Sequence, residues 1–250
     1  VEEVTMDGAE VVAALAAALP SDTLIVDRDV TRSLSHDEAE WAPVGEPLAL
    51  VRATSSDHVA AAVRVCAKFG VPVTARGAGT GLSGGANAHD GGVIIALDRL
   101  DRILKIDPLE RLAVVQAGVI NDELRAAAAE QSLWYPPDPA SSPWSTIGGN
   151  IATNAGGVCC VKYGVTKDYV LALEVVTGTG ALVRLGRMTA KGVAGYDLVG
   201  LMVGSEGTLG IITEATVRLK PLPAAPRTVV GYFSSIVDAG EAARAVARAG

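Results

Sequence analysis

Arg76, Gly77, Ala78, Gly79, Thr80, Gly81, Leu82, Ser83, Gly84 and Gly85 put five glycines and an arginine in ten consecutive positions. Glycine adopts both signs of φ and carries no side chain to hold a ligand away, so such a run lets main-chain amides come close to an anion. Gly79, Gly81 and Gly84 satisfy G-x-G-x-x-G, and Asp98 follows at about the spacing of a ribose-binding acid. A dinucleotide turn of that kind must open a helix whose positive end holds the pyrophosphate. Asn87, His89, Asp90, Gly91 and Gly92 follow here instead, without helical period or propensity. The run therefore reads as a nest of successive amides, with Arg76 available for a charge-assisted bond. The plain alternative is a set of tight turns.

Two further segments share this chemistry. Pro136, Pro137, Asp138 and Pro139 lead to Ser145, Thr146, Ile147, Gly148, Gly149 and Asn150, then to Asn154, Ala155, Gly156 and Gly157. Long turn-rich stretches inside compact domains usually carry function. Gly204, Ser205, Glu206, Gly207, Thr208, Leu209 and Gly210 form the third and run into Ile211 and Ile212. A ligand as long as a dinucleotide draws contacts from several places, which turns alone do not explain. The three histidines, His36, His58 and His89, have neither metal-ligand spacing nor an acid–base arrangement, and read as surface or loop residues. Cys66, Cys159 and Cys160 form no C-x-x-C pattern. Adjacent cysteines rarely reach disulfide geometry, so the pair reads as small buried residues, and a reducing cytoplasmic setting is expected.

The elements that position these segments follow from hydrophobic period and punctuation. A helix is predicted over 8–19, stopped by Pro20. A strand is predicted over 48–51, and a helix over 57–69 capped by Ser55 or Ser56 and ended by Gly70. Strands are predicted over 71–75, 93–97 and 112–116, with a helix from Asn121. Residues 171–176 and 182–185 read as a hairpin about the turn 177–180, and 211–219 as a further strand. This predicts an α+β protein with a small, mostly parallel first lobe and a larger, mostly antiparallel second one. The 250 residues are ample for a globular core. A net charge of −7 repels polyanions and argues against nucleic-acid binding. No apolar run approaches the roughly 20 residues of a membrane span, and the acidic first residues do not resemble an export signal, so a soluble domain is expected.

The loop from Arg76 to Gly85, the stretch from Pro137 to Gly157, Lys162-Tyr163-Gly164, Asp168, and Gly195-Tyr196-Asp197 leading to Gly204 through Gly210 together resemble the vanillyl-alcohol oxidase and p-cresol methylhydroxylase flavoproteins. The likeness is strongest to the branch of D-lactate and D-2-hydroxyglutarate dehydrogenases and the glycolate oxidase large subunit, and covers about residues 48–223. The resemblance implies a two-lobed domain with FAD between the lobes. It divides the chain into an N-terminal helical extension (1–45), an FAD-binding domain (46–225, lobes about 46–110 and 111–225) and the opening strand, 228–233, and helix, 238–249, of a substrate-binding cap (226–250).

By the same resemblance, Arg76, Gly77, Ala78, Gly79, Thr80 and Gly81, with Ser83 and Gly84 nearby, contact the pyrophosphate. Pro137, Asp138, Ser145, Thr146, Gly148, Gly149, Asn150 and Ala152 form the second flavin-contacting stretch, and Gly207 and Ile212 the last. Relatives that attach FAD covalently through the first loop place a histidine where Thr80 stands, which implies non-covalent FAD here. The implied activity is oxidation of a 2-hydroxy acid, with electrons passing to a quinone, an electron-transfer protein or oxygen. The catalytic residues, and a metal in some branches, are implied to lie beyond residue 250. Homodimerisation stays open. So does a second reading, a non-catalytic flavin-binding or electron-transfer module of a larger complex. For Lys162, Asp168, Tyr163 and Tyr196 the plain readings are an ion pair and packed rings.

Overall fold

A computed structural model describes residues 8–189, 194–225 and 227–249. The first half builds a four-stranded sheet from β1 (Leu24–Ile25), β2 (Ala49–Arg52), β3 (Val73–Arg76) and β4 (Val93–Ala96), in the order β1-β2-β4-β3. β2 and β3 both run parallel to β4, which lies between them, and β1 is antiparallel to β2. The expected parallel pair is thus present, with a third strand inserted at its centre. β4 is buried at every position, as a central parallel strand covered on both faces must be.

Helices α1 (Gly8–Ala18), α2 (Arg28–Ser33) and α3 (Ser56–Phe69) accompany this sheet. Ser55 Oγ accepts the His58 amide at 3.3 Å to start α3, and Gly70 ends it with φ 66°. Val59, Val63 and Cys66 recur at helical spacing on its buried face and pack with Val11 and Leu15 of α1 on the sheet.

The second half contributes β5 (Ile103–Asp107), β6 (Leu112–Gln116), α4 (Asn121–Glu130), β7 (Leu133–Trp134), α5 (Ile147–Ala152), α6 (Cys160–Tyr163) and a 3-10 turn, Thr166–Tyr169. It continues with β8 (Val170–Val176), β9 (Leu182–Gly186), α7 (Leu198–Met202), β10 (Ile211–Arg218), β11 (Lys220–Pro221) and α8 (Ile236–Ala249). Five of these strands form an antiparallel sheet in the order β5-β6-β10-β8-β9. β8 and β9 are the expected hairpin, with Gly180 at φ 74° in its turn. β5 was not expected: Lys105 and Asp107 interrupt its apolar pattern, and it places the passage between the sheets before Ile103.

The expected strand over 228–233 is absent. Its β-branched and aromatic residues are exposed, Val229 at 92% and Tyr232 at 95%, with no neighbouring ladder to complete. α8 follows with no buried residue. Ala117, Val176 and Ile211 of the second half pack into the core of the first, so the two sheets are joined by contact as well as by chain.

Candidate functional site

Between the two sheets lies a cleft of about 380 Å³, within the usual size range of small-molecule sites. All three glycine-rich segments line it. Arg76 ends β3, and Gly77, Ala78, Gly79, Thr80, Gly81 and Ser83 come from the loop after it. Thr146, Gly148, Gly149, Asn150 and Ala152 come from α5 and its cap, Gly207 from the approach to β10 and Ile212 from the start of that strand. Gly84, Pro137, Asp138 and Ser145 are outside the lining. Gly84, with φ 81°, backs onto Ala42. The Pro137 carbonyl accepts from Asn121 Nδ2 at 3.0 Å, and Ser145 is 1% exposed. Asp138 is occupied by Cys159, whose amide and thiol donate to its two carboxylate oxygens at 3.2 and 3.0 Å.

The first loop turns back on itself directly after a parallel strand, with Gly79 at φ 77°, a conformation that L side chains rarely adopt. Arg76 is 7% exposed and donates through Nη1 to the His36 carbonyl at 2.6 Å. Burial lowers its proton affinity below the ordinary value, opposed by the fields of Asp37, Asp98 and Glu38.

The second segment is held by side chains. Thr146 Oγ1 accepts the Gly149 amide at 3.2 Å and so caps α5. Asn150 Nδ2 donates to Asn121 Oδ1 at 3.1 Å. A Cβ on Gly77 would clash with Thr146 Oγ1, so the first two loops touch where glycine leaves room. The third segment is tied to both others. The Glu206 amide donates to the Ala152 carbonyl at 2.9 Å, and Ser83 Oγ donates to Glu206 Oε2 at 3.1 Å. Glu206 itself sits at φ 49°, uncommon for a residue with a side chain.

Asp37, Ser141 and Glu206 also line the cleft and were not assigned to it, while Asn154 lines it as part of the second segment. Glu206 lay within a quoted segment but carries the wrong charge for a phosphate contact. Asp37 arrives from the N-terminal region, where nothing local marks it; its carboxylate accepts the Ala39 amide at 2.9 Å.

Other singled-out residues take plain roles, with two corrections. Asp168 accepts the Val165 amide at 2.8 Å, and Tyr163 packs edge-on to Trp134 at 4.8 Å. Tyr196, by contrast, is 94% exposed and does not pack. Cys159 and Cys160 are half-buried rather than core residues, because Asp138 and the Gly157 amide offer them polar partners. His36 and His89 are exposed and His58 half-buried. Among the described residues no group of His, Cys, Asp or Glu could hold a metal ion, and no helix is long and apolar enough to cross a membrane.

The donor set suits a long, polar, uncharged-to-anionic ligand. Glycine backbone lines its walls together with Thr80, Ser83 and Thr146.

Residues 47–186 match the family described as FAD binding domain. The chain is 43% identical over 215 residues to a D-lactate dehydrogenase of Anaerostipes hadrus, covering 86% of this chain and 45% of that protein. It is 44% identical over 195 residues to the glycolate oxidase subunit GlcD of Bacillus subtilis, covering 78% and 42%. It is 44% identical over 204 residues to a D-2-hydroxyglutarate dehydrogenase of Xanthomonas citri, covering 82% and 41%. A solved alkyldihydroxyacetonephosphate synthase superposes with a TM-score of 0.77 at 28% identity, over 88% of this chain and 42% of that one. The chain thus spans less than half the length of these relatives. It belongs to the FAD-binding domain family of the vanillyl-alcohol oxidase and p-cresol methylhydroxylase type.

Proposed function

We propose that this chain holds FAD non-covalently in the cleft between its sheets, and that it serves an oxidoreductase acting on a 2-hydroxy acid of the D-lactate, glycolate or D-2-hydroxyglutarate class. One observation carries the cofactor reading: three glycine-rich segments, far apart in the chain, converge on one cleft. The loop after β3 receives the diphosphate, the α5 segment and the approach to β10 receive the remainder, and the packed sheets keep water from the buried side. Thr80 supplies no ring nitrogen for a covalent flavin link. Bound FAD supplies a ring that accepts a hydride. The substrate class is supported by the relatives, and the electrons pass on to a quinone, an electron-transfer protein or oxygen.

Titration of the apoprotein with FAD tests the cofactor. Ligand at a hundredfold excess over its dissociation constant adds about 2.7 kcal/mol of stability, so the melting temperature must rise; an unchanged one rejects the reading. Acid precipitation should release all flavin into solution, and colour staying with the pellet would reject non-covalent binding. For the substrate class, the three acids are offered anaerobically to the full gene product. Bleaching by one supports the class, and an oxidised flavin with all three removes it.

A further inference from the structure

The loop after β3 is expected to grip phosphate, and Arg76 is the cation that a sequence reading assigns to that grip. We propose instead that Arg76 is a positioning residue, the form on which the loop is folded, and that the amides of the loop rather than the guanidinium meet the anion. This rests on the reading of the cleft as an FAD site.

Strand alternation supplies the first argument. Successive side chains of a strand point to opposite faces, and in β3 Thr74 and Arg76 are buried while Val73 and Ala75 are half-buried. Thr74 Oγ1 donates to the Asn87 carbonyl at 3.2 Å, which marks that face as the one covered by the returning segment around Asn87. Ala75 faces the other way, toward the third glycine segment: a Cβ on Gly207 would lie 3.7 Å from Ala75 Cβ. The Arg76 side chain therefore leaves the strand on the face opposite to the one that meets Gly207.

Where the guanidinium ends up supplies the second. Nη1 donates to the His36 carbonyl at 2.6 Å, in the segment that packs beneath the loop. A Cβ added to Gly79 would meet Cζ at 2.6 Å and Nη1 at 2.8 Å. The loop thus curls around the guanidinium, and Gly79, at φ 77°, is the residue that must cross it closely. A planar cation with several fixed donors can organise a bend from inside in a way that a flexible ammonium cannot. Its positive charge is also answered locally, since Asp37 lines the same cleft and, with Asp98 and Glu38, supplies a field that favours the charged form.

Two comparisons separate a positioning residue from a phosphate ligand. Arg76→Lys keeps the charge but not the fork. A ligand that touched phosphate through its charge alone would leave FAD affinity within about threefold of wild type, whereas a folding form for the loop predicts a loss of about tenfold or more, close to that of Arg76→Gln, together with a fall in apoprotein melting temperature that loss of a phosphate ligand, point-charge or bidentate, would not produce. The second comparison uses Gly79→Ala in two backgrounds. In the wild type the new methyl must displace the guanidinium. In Arg76→Ala that space is empty, so the same substitution should weaken FAD by a smaller factor, retaining only the cost of its backbone angle. Equal factors in the two backgrounds, or a near-native Lys variant, would overturn the proposal. Apoprotein melting temperatures are measured alongside, and if Arg76→Ala does not fold, the Lys and Gln pair alone decides the outcome. A wild-type chain that binds no FAD would instead refute the function proposed above, a distinguishable result.

Discussion

Gly77→Ala probes the seam between the first two loops, and its cost can be worked from the structure. The backbone is not the obstacle, because Gly77 has no positive φ. An added Cβ would clash with Thr146 Oγ1, while Thr146 Cβ at 3.6 Å and Gly149 Cα at 3.8 Å are ordinary neighbours. Thr146 must therefore rotate and give up its bond to the Gly149 amide. Loss of such a cap costs about 0.5–2 kcal/mol. Thr146 is 3% exposed, so the rotated hydroxyl has little access to water, and an unsatisfied buried hydroxyl costs about 1–3 kcal/mol more. The sum, roughly 1.5–5 kcal/mol, lowers the melting temperature of the apoprotein by about 3–20 °C for a domain of this size. Thr146→Ala removes both the cap and the obstacle, so adding Gly77→Ala in that background should cost less than about 1 kcal/mol. Chemical denaturation of the four proteins, followed by circular dichroism, reads the cycle. Costs that simply add would show that Thr146 Oγ1 is not what holds residue 77 to glycine.

Two further outcomes are expected. Ser83 and Glu206 clasp the rim of the cleft through an exposed hydrogen bond; Ser83→Ala and Glu206→Ala should each speed FAD release by about two- to fivefold, and the double variant no more than either, as stopped-flow recovery of flavin fluorescence will show. The hydrogen bond to Asp138 is the main cause that pushes the Cys159 thiol up to about 11. Because the thiolate is the nucleophile, alkylation of Cys159 should be slow at pH 8 and climb as pH rises toward that value, and Asp138→Asn should speed it at pH 8 by about tenfold or more. Peptide mass spectrometry resolves it from Cys160, and an unaltered rate would contradict the assigned cause.

Local signals were legible. The Ser55 cap, the left-handed Gly70 and the apolar period of α3 are all written within about fifteen residues of one another, and the β8–β9 hairpin is announced by its turn. The three glycine-rich segments stand out by composition, and their meeting in one cleft agrees with the expectation of a ligand that spans several loops. What escaped depends on distant partners. β5 hides behind Lys105 and Asp107 because one face of an edge strand meets solvent. The run around Val229 has strand propensity but no ladder to join. Asp37 reaches the cleft only through the packing of the N-terminal region, held by Asn87 Oδ1, which accepts the Asp37 amide at 2.7 Å. Arg76 was assigned by charge, and its surroundings became visible only when the loop folded around it.

The order β5-β6-β10-β8-β9 has a consequence for how the protein is made on the ribosome. β10 is the central strand, yet it is synthesised after both of its neighbours. Until it emerges, β6 and β8 each present an open edge, and such edges invite pairing with other nascent chains. Gly207 and Ile212, which line the cleft, arrive with the same stretch. The large sheet and the wall of the cleft are therefore completed by one and the same stretch of chain.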